Sequence, residues 1–153
     1  MKTVKDLRSQ YNAKIDNEIA NLERMREEYT ANMNVAESIF NDLKTVLEKL
    51  HLVIEEFSVN QPNKEVASHL GCISLRLVSD GKFKFIKFAG YTSRGADKNE
   101  NRLHDKAEKI TTMVYNALHS SYKNFDCYVN QYSLEVKDES EQGVVLMSIS
   151  YIF

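Results

Sequence analysis

Tyr29-Thr30-Ala31-Asn32-Met33-Asn34-Val35-Ala36-Glu37-Ser38-Ile39-Phe40-Asn41-Asp42-Leu43-Lys44-Thr45-Val46-Leu47-Glu48-Lys49-Leu50 is the stretch on which the fold turns. Its apolar residues Tyr29, Met33, Ala36, Phe40, Leu43, Leu47 and Leu50, followed by Ile54 and Phe57, step alternately by four and three. That spacing puts them on one face of a helix as a heptad seam. The first proline is Pro62 and the first glycine is Gly71, so no helix breaker interrupts the pattern. Upstream, Val4, Leu7, Tyr11, Ile15, Ile19 and Leu22 step 3, 4, 4, 4, 3. The additional step of four is a stutter that locally unwinds a supercoil. Two structures fit. One is a continuous helix over about residues 3–57, and the other is a helical hairpin broken near 29–34, where Asn34 and Glu37 have capping-box spacing. The unbroken phase favours continuity. Met33, Phe40, Leu43, Leu47, Leu50 and Ile54 form the expected oligomerisation seam, because a small α+β core is too short to cover it.

Downstream the period changes from 3.6 to 2. Residues 58–71 read as a connector, with room for a short helix from Pro62 to the Gly71 stop. Ile73, Leu75 and Leu77 alternate with Ser74 and Arg76, and Asp80-Gly81 signals a hairpin returning over 83–89. A loop over 90–99 leads to a helix over about 100–121, with stripe residues Leu103, Ala107, Ile110, Val114, Ala117 and Leu118. Strands over 125–137 and 144–153 flank an acidic turn, and a phase change near Asn130-Gln131 predicts a bulge. The fold class is therefore α+β, a long helical segment over 1–57 followed after the 58–71 connector by a sheet domain over 72–153. Its order, α-ββ-α-ββ, is a cyclic permutation of the ferredoxin-like β-α-β-β-α-β. It predicts a four-stranded antiparallel sheet with helices on one face.

Composition narrows the function. The chain has 153 residues, 42% apolar and 27% charged, ordinary values for a globular protein with a core. Net charge is −2, but residues 58–98 alone carry a net +4 while 1–57 and 125–153 carry −3 and −4. With no leading apolar run and no stretch of about 18 apolar residues, neither an export signal nor a membrane span is expected. Cys72 and Cys127 are then free thiols in a reducing, cytoplasmic compartment. No His-Glu-x-x-His, CxxC, GxGxxG, P-loop or Gly-x-Ser-x-Gly motif is present. His51 with Glu55 and His104 with Glu108 have i,i+4 spacing, but two ligands do not make a metal site. No metal or other cofactor is expected.

Two surfaces remain. In the predicted hairpin, Arg76, Phe83, Phe85 and Lys87 share the face opposite the core, a candidate partner-binding surface. Phe83-Lys84-Phe85-Ile86-Lys87-Phe88 resembles the RNP1 strand of RNA-recognition domains, whose aromatics stack bases, although Lys84 stands where that family has a small residue. The resemblance implies a nucleic-acid module. Coverage by the protein itself or by a protein partner is the alternative for the same rings. The loop carrying Arg94 and Lys98, which enters the N-terminus of the following helix, is a candidate anion site. The leading expectation is a non-catalytic protein-protein interaction protein. It would be an adaptor, accessory factor or inhibitor of the kind that phage and mobile elements encode, a homodimer or higher assembly that also meets another protein.

Overall fold

The computed structural model describes residues 1–60, 69–79, 93–137 and 140–153; the side chains of 93–105, 134 and 136–141 are outside the description. Thr3 opens the first helix with a capping box. Its hydroxyl accepts from the Asp6 amide, and the Asp6 carboxylate accepts from the Thr3 amide. Helix α1 then runs unbroken over Val4–Lys49, so the hairpin alternative, with Asn34 as a cap, does not form. At about 1.5 Å per residue α1 is about 70 Å long. It stops without a glycine. The amides of Leu50 and His51 turn back to the Leu47 and Glu48 carbonyls, and His51 takes φ 56°, the left-handed conformation that ends many helices.

Strand β1 follows at once over Leu52–Asn60. The helix is therefore shorter than the seam suggests. The cause is local: a bulge between Ile54 and Glu56 inserts one extra residue, so the inward-facing Ile54 and Phe57 lie three apart. That is the step a helical face would show, and it carries the heptad rhythm into a strand. Strand β2 spans Leu70–Ser79, helix α2 Ser93–Leu118, β3 Lys123–Lys137 and β4 Ser140–Ile152.

The sheet is antiparallel in the order β1-β2-β4-β3. This is the order obtained when the first strand of a ferredoxin-like unit is moved to its C-terminus, as the element order predicts. The expected bulge in β3 falls between Val129 and Gln131. Strand β4 begins earlier than expected, at Ser140, because Lys137 pairs with Ser140. Both edges of β2 are occupied, by β1 and β4. The predicted Asp80-Gly81 hairpin thus has no free edge of β2 to pair with, and residues 80–92 lie outside the described residues.

Both helices pack on one face of the sheet. Ala36, Ile39, Leu43, Leu47 and Leu50 from α1 meet Ile110, Val114 and Leu118 from α2 over Ile73, Leu75, Leu77, Val145, Met147 and Ile149. Two polar contacts fix α1 over this core. Asn32, fully buried, accepts a hydrogen bond from the Tyr151 hydroxyl of β4. The Tyr122 hydroxyl, just past α2, donates to Asp42 and meets the Ser38 hydroxyl at 2.8 Å. Tyr151 lies over Gly71, its cross-strand partner, where a Cβ would come within 2.3 Å of the ring. Glycine is required there by close approach.

Candidate functional site

The docked part of α1 begins at Asn32. Upstream, none of residues 1–31 is buried. About 28 residues of helix, roughly 40 Å, thus stand clear of the described core. This free half is not polar all round. Val4, Leu7, Tyr11, Ile15, Ile19, Leu22, Met25 and Tyr29 are 39–74% exposed, and Leu43, on the same face further down, is 0%. One apolar stripe therefore has two environments. A helix with an apolar stripe normally buries it.

Where the free and docked halves meet, the stripe runs into an open groove of about 550 Å³ between α1 and the edge strand β1. Its walls are Tyr29, Met33, Ala36, Glu37 and Phe40 from the helix and Phe57 and Val59 from the strand. Phe40 and Phe57 meet edge to face at 5.0 Å, and Lys44 Nζ lies 4.7 Å from the Phe40 ring centre. These contacts hold the groove wall in place with its apolar lining open.

Of the six expected seam residues, the protein's own core takes Leu43, Leu47 and Leu50. Ile54 lies on β1, partly buried against that core, and only Met33 and Phe40 line the groove. Phe57 and Val59 complete the groove, although the heptad spacing places Phe57 at a helix end and Val59 in the connector. The signal that would have placed them is alternation, Leu52 and Ile54 then Phe57 and Val59, once a bulge is allowed for.

The sheet face away from the helices is polar at one end and apolar at the other, where Val78 and Val144 pair and are buried. Ser58, Ser74, Ser148 and Tyr128 form one cross-strand row, and Arg76 lies one row along. Arg76 is where alternation places it, but its charge is engaged. Nε donates to Glu55 at 3.0 Å and the terminal nitrogens donate to Glu135. Those bonds raise the guanidinium pKa further, and Arg76 in turn holds the Glu135 carboxyl below the usual carboxylate range. Phe83, Phe85 and Lys87 lie outside the described residues. Arg94 and Lys98 fall in the first turns of α2, which begins earlier than expected; their side chains are outside the description.

His51 and Glu55 do not share a helix face, because the chain turns into β1 between them. Among the described residues, no three His, Cys, Asp or Glu side chains are grouped to hold a metal. Cys72 and Cys127 are free and lie on opposite faces of the sheet: Ile73 and Cys127 both point to the helices, and Cys72 points away. Burial pushes the Cys127 thiol up to about 12. No described helix is long and apolar enough to cross a membrane. Compared with known proteins, the chain matches no family model, no curated protein and no solved structure.

Proposed function

We propose that this chain is a non-catalytic interaction protein that self-associates through the free half of α1 and carries its sheet domains to a protein partner. The observation that supports this reading is the stripe from Val4 to Tyr29, eight large apolar side chains in water on a helix continuous with the core. A contiguous apolar surface of this kind is characteristic of interaction sites. Most helical stability in proteins comes from packing of an amphipathic face, so a partner surface would stabilise the free half. Adaptor, accessory-factor and inhibitor roles suit a rod bearing a small domain, and a reducing, cytoplasmic setting suits two free thiols.

Light scattering on purified protein over a dilution series tests the reading. The expected result is a dimer or larger assembly at micromolar concentration that dissociates on dilution. A monomer throughout would refute self-association. Nucleic-acid binding is a separate outcome. Salt-sensitive, submicromolar binding of single strands would favour the base-stacking reading of Phe83 and Phe85, since counterion release makes such binding fall steeply with salt.

A further inference from the structure

We infer that the occupant of the free stripe is a second copy of the same helix, laid antiparallel and centred at about residues 16–17. This deepens the self-association proposed above and rests on it. At 3.6 residues per turn, Val4, Leu7, Tyr11, Lys14, Ile15, Glu18, Leu22, Met25 and Tyr29 fall within about 100° of arc on α1. Their spacing is self-complementary when one helix is reversed. Val4 then meets Tyr29 of the second copy, Leu7 meets Met25, Tyr11 meets Leu22, and Ile15 lies beside Glu18.

Charge decides the direction. Lys14 and Glu18 are the two ionisable seats inside this arc; Ile19 lies about 40° outside it, past Arg8 and Arg26. In a parallel, in-register pair each would face its own copy, Lys14 against Lys14 and Glu18 against Glu18, inside the seam. Reversal sets Lys14 against Glu18, twice by symmetry. Like charges juxtaposed in an interface select strongly against that arrangement. Arg8 and Arg26 lie at the rim of the stripe, where long side chains reach water and mutual repulsion is weak.

The groove fits the same register. Thr3 is extended, with φ −87° and ψ 167°, so the residues before Val4 run on past Tyr29 of the second copy. There, over the roughly 10 Å that three extended residues span, they meet Met33 at the mouth of the groove, which continues the stripe. The two sheet domains sit at opposite ends of the rod, with their Asn32 residues about 45 Å apart at 1.5 Å per residue. The dimer is thereby two-headed, presenting its domains to two partners at once.

Two measurements on the full chain test this. The first is dimer dissociation by analytical ultracentrifugation at low salt for Lys14→Glu, Glu18→Lys and the double swap. Each single change should weaken the dimer by about tenfold or more, and the swap should restore it to within about threefold of the wild type. Single changes without effect, or a swap no better than they are, would overturn the Lys14–Glu18 contact. The second is oxidative cross-linking. Leu7→Cys combined with Met25→Cys should give a covalent dimer that neither change gives alone. Cross-linking through Leu7→Cys alone would overturn the antiparallel order and leave self-association standing. A wild type that remains monomeric at tens of micromolar removes self-association and this pairing together.

Discussion

Leu43 and Leu22 lie on the same helix and the same face, and shortening each to Ala removes the same three carbons. Leu43 is fully buried over the sheet. Its loss forfeits about 0.8 kcal/mol per carbon in transfer free energy and leaves a cavity, which brings the cost to roughly 2–5 kcal/mol. For a chain of this size 1 kcal/mol moves Tm by about 2–4 °C, so Leu43→Ala should lower it by roughly 5–15 °C. Leu22 is 63% exposed. In solution dilute enough to hold the monomer, Leu22→Ala should stay within about 0.5 kcal/mol of the wild type, or 1–2 °C. Thermal unfolding followed by circular dichroism, at a dilute and a concentrated setting, reads both. The Leu22→Ala effect should appear only in the concentrated sample, where Tm itself depends on concentration. Hydrogen exchange adds a local check, since amides over residues 4–31 should exchange fast when dilute and slow down on assembly. A Leu22→Ala cost in dilute solution equal to that of Leu43→Ala would refute this reasoning, because it would mean that the first half of α1 is packed against its own domain.

Tyr151→Phe should cost about 1–3 kcal/mol in chemical unfolding, because it strands the buried Asn32 side chain, and adding Asn32→Leu should recover much of that loss. The Glu135 carboxyl, depressed by Arg76, contributes stability that is complete above the ordinary carboxylate range and lost as pH falls through its lowered native value. Arg76→Gln should accordingly flatten the acid limb of a stability-against-pH curve, with no change at neutral pH in that slope. Cys127, buried with its thiol at about 12, should resist maleimide at pH 8 until the protein unfolds, and labelling at the same rate in native and denatured protein would contradict its burial.

How much of this was legible in the sequence depends on whether a signal was local. The inward set Ile73, Leu75 and Leu77 and the β3 bulge follow from short-range periodicity, whereas the α-ββ-α-ββ order agrees because β1, which the spacing assigns to a helix end and connector, stands in for the strand expected over 83–89. The end of α1 was not legible because three effects coincide. His51 supplies the left-handed turn where a glycine would have announced it, the β1 bulge reproduces a helical step, and no proline falls before residue 62. Asp80-Gly81 misled for a different reason. It reports what a tight turn would favour, but β2 is paired on one edge with β1 and on the other with β4, which lies some seventy residues further along. Local turn chemistry carries no information about that competition.

The stripe on α1 sets the harder limit. Periodicity identifies a face that needs cover, but says nothing of what covers it. From Val4 to Leu50 the pattern is nearly continuous, yet the cover changes at Asn32, a buried amide in an otherwise apolar row. Its bond to Tyr151 fixes the height of α1 over β4, and with it how much helix is left beyond the sheet. That position determines where an assembly can be broken without breaking the fold. Lysine at Leu43 or Leu47 would be an uncompensated charge in the protein's own core, so any loss of assembly would be inseparable from unfolding. Lysine at Ile15 or Leu22 meets only water in the monomer. A dimer lost there, with the dilute-solution Tm unchanged, isolates the contact between copies from the packing of each.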